Sequence, residues 1–143
     1  MKELWVDIEG FEGLYQVSNK GNIKSLARYD KYYRLGKPVM RYREEKILKF
    51  KTNKYGYYEV CLRKNNKNHH FCVHRLVASN FLLNLESKPT VNHIDGNKLN
   101  NEVYNLEFAT VSENTKHAYE NGLFTVTRDE KGRWCNNHGK HKT

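Results

Sequence analysis

Residues 90–117 of the chain read TVNHIDGNKLNNEVYNLEFATVSENTKH. Two short apolar alternations, over residues 91–94 and 106–108, flank a segment that is rich in Asn, Asp and Gly. This pattern is typical of two strands joined by a loop with several turns. The next segment, Ser112 to Asn121, predicts a helix that begins with Ser112 as its N-cap. A strand, loop, strand and helix in this order would bring together side chains that are distant in sequence, namely His93, Asn105, Asn114 and His117.

This segment and the residues before it resemble the ββα-metal site of HNH endonucleases, in the subgroup found in phage and intron homing enzymes. Several motifs at consistent spacing carry the resemblance: Val73-His74-Arg75-Leu76-Val77-Ala78, Val91-Asn92-His93-Ile94-Asp95-Gly96-Asn97, Asn100-Asn101, Asn105-Leu106-Glu107 and Glu113-Asn114. The resemblance implies an α+β fold in which an antiparallel β module is followed by a ββα-metal (His-Me finger) motif. It also implies a metal-dependent DNA endonuclease of the homing type.

Length and composition limit the alternatives. A chain of 143 residues fits one domain or two very small ones. No apolar run approaches the roughly 18 residues that a membrane helix requires, so we expect no membrane-spanning segment. The three cysteines are an odd number without paired spacing, which indicates a reducing compartment. We therefore expect a cytoplasmic protein, and the resemblance to phage enzymes implies expression in a host cell.

The charge is unevenly distributed along the chain. Residues 1–50 and 51–87 each carry a net charge of +4, residues 88–124 carry −2, and residues 125–143 carry +3. Basic flanks suit a polyanionic partner such as double-stranded DNA, because neutralised phosphates supply most non-specific affinity. The slightly acidic centre suits a bound metal ion. Charge alone leaves open a basic protein that binds no nucleic acid.

The sequence divides into three segments. Residues 1–68 predict a β-rich DNA-binding module, residues 69–124 the nuclease motif, and residues 125–143 a basic tail. The first segment contains a strong hairpin signal, because two apolar alternations flank the turn residues 19–22. It resembles the small β module that precedes the nuclease in phage homing enzymes, through Trp5, Ile8, Gly10, Tyr15, Val17, Ser18, Asn19, Gly21 and Ile23. The resemblance implies that this module contacts DNA.

The basic residues most suited to DNA contact lie in and after this module. Residues 28–51 combine Lys, Arg and Tyr, a composition that suits a strand or loop along a phosphate backbone, or an exposed insertion that binds nothing. Arg75 could pair with a phosphate or with a carboxylate of the motif. The candidate DNA-binding residues are Lys20, Lys24, Arg28, Arg41, Arg43, Lys54 and Arg75.

The resemblance assigns roles to residues of the motif. His93 is the implied general base, and Asn105 would either hold the loop or orient the His93 ring through its amide. Asn92 and Asn114 match metal-binding positions, and both offer an amide oxygen that can bind Mg²⁺ or Mn²⁺. His74, at the junction of a strand and a helix, suits a structural role through hydrogen bonding.

Asn92 departs from the family pattern, because relatives often carry Asp before the base. Two explanations are open. His117 lies one helical turn after Asn114 and could complete a site that also suits Zn²⁺ or Ni²⁺. Alternatively, the DNA phosphates hold most of the metal. The neutral Asn92 also leaves room for a non-catalytic DNA-binding protein that retains the fold. An RNA-directed enzyme and either a monomer or a homodimer remain compatible with the sequence.

Overall fold

The computed structural model describes residues 1–123 and, beyond them, the backbone of two short paired strands. The elements in chain order are β1 Trp5–Asp7, β2 Tyr15–Ser18, β3 Ile23–Ser25, β4 Arg28–Arg34, β5 Lys37–Arg43, β6 Lys46–Ile47, β7 Lys51–Thr52, β8 Tyr58–Lys64, β9 Lys67–Cys72, α1 Val73–Phe81, β10 Thr90–His93, β11 Leu106–Ala109, α2 Val111–Glu120, β12 Val126–Arg128 and β13 Trp134–Asn136. A 3₁₀ turn, Val103–Asn105, precedes β11. The expected basic tail, residues 125–143, lies outside the described residues apart from these last two strands.

The N-terminal part is the predicted antiparallel sheet, in the order β1-β2-β3-β6. Alternate residues of β2 and β3 point inward, so that Tyr15, Val17 and Ile23 are buried. Phe11 packs edge-on against Tyr15, with ring centroids 6.0 Å apart. The turn between β2 and β3 lies where the sequence predicts a hairpin.

The first part of the segment that combines Lys, Arg and Tyr, residues 28–43, forms a two-stranded ribbon. β4 and β5 pair along their whole length, from Arg28 opposite Arg43 to Arg34 opposite Lys37. Most residues of the ribbon are exposed, and Tyr29 and Tyr42 pack against each other with centroids 5.1 Å apart. A separate three-stranded sheet, β7-β8-β9, follows the ribbon.

Helix α1 joins the two halves of the chain. Its buried face contributes Val73, Leu76, Val77 and Ala78 to a single core cluster that also contains residues of β2, β8, β10 and β11. The boundary expected between residues 68 and 69 falls inside β9, which pairs with β8 along its length. The β module and the nuclease motif therefore share one core.

The strands β10 and β11 form an antiparallel pair, and α2 follows directly, as the ββα pattern predicts. The expectation that Ser112 caps the helix is wrong. Thr110 is the N-cap: its hydroxyl accepts a hydrogen bond from the Glu113 backbone, and the Glu113 carboxylate accepts from the Thr110 backbone. This capping box satisfies two free amides at once, which explains why the helix starts before Ser112.

In the described part of the chain, no helix combines the length and the apolar character required to cross a bilayer.

Candidate active site

A cavity of about 630 Å³ lies between the β10–β11 hairpin and helix α2. All four residues of strand β10 line the cavity, and α2 supplies residues about one turn apart. Of the four side chains expected to converge, His93, Asn114 and His117 line it together with Asn92, whereas Asn105 does not. The fold thus brings together side chains separated by up to 25 positions in sequence, because the chain runs in the order strand, loop, strand and helix.

His93 ends strand β10 and is only 5% exposed. Its Nε2 atom lies 2.9 Å from the Oδ1 atom of Asn101. Because an amide oxygen only accepts hydrogen bonds, this contact places the ring hydrogen on Nε2 and leaves Nδ1 as the basic nitrogen. Burial lowers the pKa of His93 below its usual value, while the Asn101 hydrogen bond opposes the shift. The ring is therefore neutral near pH 7 and can accept a proton.

Two further rings pack against His93. The His74 ring centroid lies 5.0 Å from that of His93, and the Tyr57 ring stacks on His93 at 5.9 Å. Burial, followed by the neighbouring charges of His93 and Arg75, lowers the pKa of His74 to about 3. Within the described residues the His74 side chain makes no hydrogen bond, and its buried Nδ1 atom has no partner. His74 is thus a neutral packing residue, and the expected structural role is performed by ring contacts instead of hydrogen bonds.

Asn105 holds the loop that follows His93. Its amide nitrogen donates to the Asp95 carboxylate and to the Asn100 carbonyl, both at 2.9 Å, and its amide oxygen accepts from the Asp95 backbone at 3.0 Å. Asn105 itself is buried. Of the two roles open from the sequence, the contacts agree with holding the loop. The ring of His93 is instead bound by Asn101, a contact that the sequence did not predict.

The expected metal ligands have donor atoms free for a cation. Asn92 donates its amide nitrogen to Glu107 at 2.9 Å, so its Oδ1 atom remains available. The Asn114 side chain makes no hydrogen bond within residues 1–123. His117 approaches the Ile94 carbonyl through Nε2 at 3.0 Å, which leaves Nδ1 as a ligand atom. A histidine that ligates metal usually donates its other ring N–H in this way, so the donor set fits a divalent ion.

These donors are two amides and one imidazole, with the Glu107 carboxylate behind Asn92. The described residues contain no group of three or more His, Cys, Asp or Glu side chains suited to a metal ion. Any affinity for a cation would therefore depend on neutral donors, because the side chain directly before His93 is the amide of Asn92 and not a carboxylate. A substrate phosphate could supply the missing negative charge.

Lys98 places a positive charge at the cavity, and it is not among the site residues predicted from the sequence. It lines the cavity, its Nζ atom donates to the Tyr55 carbonyl at 3.0 Å, and it lies 5.0 Å from the centre of the Tyr57 ring. The sequence does carry a signal for this role. Lys98 directly follows the motif of residues 91–97 and is a basic residue within a segment of net negative charge. An ammonium group here can bind a phosphate that enters the cavity.

The candidate DNA-binding residues have different surroundings. Arg28 is held inside the module: its guanidinium donates to the Leu14 and Leu26 carbonyls and to Ser25 Oγ, at 2.9–3.1 Å. Arg43 is paired with Asp30, and the Lys24 ammonium lies 4.6 Å from the Trp5 ring centre.

The other four candidates are exposed and lie on different elements. Lys20 is in the β2–β3 turn, Arg41 is on the ribbon, Lys54 is in the turn before β8, and Arg75 is on α1. Arg41 and Arg43 also border a second, more polar cavity of about 710 Å³ at the base of the ribbon. The structure therefore does not gather all seven residues on one small patch.

Comparison with known proteins gives matches to both halves of the chain. The NUMOD4 motif matches residues 3–63, and the HNH endonuclease family matches residues 71–116. An uncharacterized HNH endonuclease of Acanthamoeba polyphaga mimivirus is 40% identical over 131 residues, which are 88% of this chain and 28% of that protein. The DNA endonuclease I-HmuI of Bacillus phage SP01 is 35% identical over 127 residues, which are 89% of this chain and 64% of that protein.

One solved structure, which describes DNA binding and cleavage by the HNH homing endonuclease I-HmuI, superposes with a TM-score of 0.68 at 37% identity. The match covers 86% of this chain and 62% of the solved chain. The chain thus spans less than two thirds of the length of these relatives.

Proposed function

Because the chain belongs to the HNH endonuclease family and carries an N-terminal NUMOD4 motif, we propose that it hydrolyses phosphodiester bonds of double-stranded DNA. The observation that carries the proposal is the convergence of His93, Asn92, Asn114 and His117 on one cavity. A basic nitrogen and three cation ligands within one pocket are the groups that hydrolysis of a phosphodiester requires.

His93 is the general base in this proposal. Its Nδ1 lone pair takes a proton from water, the water oxygen forms a bond to phosphorus, and the bond from phosphorus to the 3′ oxygen breaks. The departing 3′ oxygen takes a proton from solvent and His93 returns its own proton to solvent, so the products are a 5′-phosphate and a 3′-hydroxyl. The hydrogen bond from Nε2 to Asn101 keeps the ring in the tautomer that this step needs. Burial keeps the ring neutral between turnovers, since it lowers the His93 pKa.

Asn92, Asn114 and His117 would hold the divalent ion through two amide oxygens and one imidazole nitrogen. When bound, such an ion supplies charge stabilisation to the phosphorane and to the departing 3′ oxygen. Mg²⁺ or Mn²⁺ suits the amide oxygens, and the imidazole also permits Zn²⁺ or Ni²⁺. The Glu107 contact turns the Asn92 amide so that its oxygen faces away from the carboxylate.

The exposed cations would position the duplex. The β4–β5 ribbon carries Lys31, Arg34, Lys37 and Arg41 beside exposed tyrosines, and a two-stranded ribbon fits the major groove of B-DNA. Lys98, which lines the same cavity as His93, would contact a phosphate of the bound duplex. The module named NUMOD4 would thus supply most of the non-specific affinity. We place this activity in the cytoplasm of the host cell, where phage DNA is accessible.

A plasmid-nicking assay tests the proposal. Supercoiled plasmid should be relaxed or linearised in Mg²⁺ or Mn²⁺ and should stay intact in EDTA. Nicked product would indicate a monomer that cuts one strand, whereas linear product would indicate cleavage of both strands, as expected of a homodimer.

Asn92 favours one alternative, a DNA-binding protein that retains the fold without cleaving. Binding of duplex DNA without cleavage in any of Mg²⁺, Mn²⁺, Zn²⁺ or Ni²⁺ would support that alternative. Competition of the cleavage by duplex RNA at equal concentration would instead point to an RNA substrate.

A further inference from the structure

The turn between β2 and β3, residues 18–22, packs against the loop that follows the general base. The Val103 amide donates to the Asn19 carbonyl at 2.8 Å. Gly21 has a φ of +82°, and a Cβ atom built on it would lie 2.8 Å from the Asn101 Cβ and 2.9 Å from the Asn101 carbonyl oxygen. Real Cβ atoms do not approach other atoms this closely, so only glycine fits against Asn101.

The turn is itself firmly held. Ser18 and Asn19 are at most 3% exposed. The Ser18 hydroxyl accepts from the backbone amides of Lys20 and Asn22, and the Asn19 side chain accepts from the Leu4 amide at 2.9 Å. These bonds fix the turn to strand β1 and to the start of the chain, so it presents a rigid surface to the loop.

Asn101 is the point at which this surface meets the site. The residue is 4% exposed and its Oδ1 atom accepts from His93 Nε2 at 2.9 Å. Any Cβ atom at Gly21 would press on the Asn101 Cβ and carbonyl, and the Asn101 side chain contacts His93. A displacement of Asn101 by the turn would therefore be passed directly to the imidazole ring.

We propose that the β2–β3 turn is a structural part of the catalytic centre, with Asn101 as the positioning residue through which Gly21 fixes the ring of His93. The inference rests on the proposed function, because it takes His93 to be the general base. It gives the N-terminal module a second role besides DNA contact. A module attached only to bind DNA would need no close packing against the loop of the nuclease motif.

Two glycines provide a matched pair of variants. Gly10 has a φ of +83°, almost the same as Gly21, but a Cβ atom on Gly10 would meet nothing within 4 Å. Gly10→Ala and Gly21→Ala therefore introduce the same backbone strain in the same module, and only Gly21→Ala pushes on Asn101. The difference between the two variants isolates the contact.

The first measurement is ¹⁵N NMR of the histidine rings in the metal-free protein, at a pH above the usual histidine pKa. In the wild-type chain and in Gly10→Ala, we expect His93 to show the signature of an imidazole protonated at Nε2. In Gly21→Ala, and in Asn101→Ala, we expect this signature to be replaced by a mixture of both tautomers. The variant Asn101→Asp still has a side-chain oxygen that can accept from Nε2, so it should keep the wild-type tautomer.

The second measurement is kcat for plasmid nicking. Gly21→Ala should lower kcat by about 100-fold with KM little changed, since a displacement of roughly 1 Å of a catalytic group has an effect of that size. Gly10→Ala should stay within about twofold of wild type. In the Asn101→Ala background, Gly21→Ala should have little further effect, because both changes act on the same ring.

The outcomes separate this inference from the proposed function. If the wild-type chain cleaves no nucleic acid, the proposed function fails, and the NMR comparison still decides whether the turn orients His93. If the chain cleaves DNA but Gly21→Ala matches Gly10→Ala in kcat and in the His93 signature, the inference is overturned. Should Gly21→Ala fail to fold, an unchanged His93 tautomer in Asn101→Ala would overturn it as well.

Discussion

Asn92 and Glu107 face each other across the β10–β11 hairpin, and the amide nitrogen of Asn92 donates to the Glu107 carboxylate at 2.9 Å. An acid introduced at residue 92 would therefore face the Glu107 carboxylate directly across the hairpin.

Asn92→Asp should make the thermal stability of the protein depend on metal. Two carboxylates directly opposite each other destabilise a strand pair by a few tenths to about 1 kcal/mol, so the variant should melt below wild type in EDTA. An added Asp also increases the affinity for a hard cation, and Mn²⁺ should raise the melting temperature of the variant more than that of wild type. Thermal denaturation with and without Mn²⁺ measures both effects.

Glu107→Gln in the Asn92→Asp background is the control for this prediction. It removes the facing charge but leaves the new Asp, so stability in EDTA should recover while the response to Mn²⁺ persists. An equal Mn²⁺ response in wild type and Asn92→Asp would show that residue 92 is not a ligand.

Asn114→Ala and His117→Ala should each raise the metal concentration that gives half-maximal nicking by at least about tenfold, because each removes a donor from the same helix face. A metal titration of the nicking rate measures this shift. Lys116→Ala is a matched control on α2. Lys116 is exposed, pairs with Glu120 and does not line the cavity. Unchanged metal dependence in both ligand variants would place the ion elsewhere.

The ββα motif could be predicted from sequence because its signals are local. The turn residues after His93, the alternation around Leu106 and the polar start of α2 each decide their own structure within a few positions. Even the error at the helix cap was a shift of two residues, from Ser112 to Thr110. This order of elements was expected to bring four side chains together. Of these, His93, Asn114 and His117 line one cavity, whereas Asn105 holds the neighbouring loop.

Contacts that depend on tertiary packing could not be predicted from such local signals. The loop contains several asparagines, and only the three-dimensional path of the backbone brings Asn101, rather than one of the others, to the His93 ring. The β4–β5 ribbon was not predicted, for a different reason. Its turn places Leu35 and Gly36 at φ values of +50° and +74°, and only Gly36 is of a residue type that usually adopts this conformation. The sequence therefore indicated a turn at Gly36 without the complete signal of a hairpin.

His74→Phe should reduce the dependence of stability on pH. The pKa of His74 is about 3 in the folded protein and 6.5 as the ordinary value, so between these values the unfolded chain binds more protons. The His74 contribution to the free energy of unfolding is therefore complete above pH 6.5 and is lost as the pH falls towards 3. Phe preserves ring packing against Tyr57 without a titrating group.

Urea denaturation at a series of pH values measures this effect. In the variant, the slope of unfolding free energy against pH should fall by up to about 1.4 kcal/mol per pH unit, the value for one proton. His70→Ala, which changes an exposed histidine paired with Glu59, should leave most of the slope in place. Identical slopes in wild type and His74→Phe would mean that His74 is not held neutral by the fold.

Arg41→Ala and Arg28→Ala should differ in what they disturb. Arg41 is exposed on the ribbon, so its loss should reduce the slope of log Kd against log salt by about 0.9, as for one phosphate contact. Arg28 donates to two carbonyls and a hydroxyl inside the module, and its loss should lower the free energy of unfolding by about 1–3 kcal/mol. Salt titrations of duplex binding and urea denaturation separate the two effects. A reversed pattern would remove the ribbon from the DNA interface.

The assignment of His93 as the general base is tested most directly by plasmid nicking with wild type, His93→Ala and His70→Ala in Mg²⁺ or Mn²⁺. Duplex binding is measured in parallel. We predict that His93→Ala loses at least about 100-fold in cleavage rate, the minimum typical of a general base, and binds DNA as wild type does. His70→Ala should cleave normally. Full cleavage by His93→Ala would contradict the assignment of this cavity as the catalytic centre.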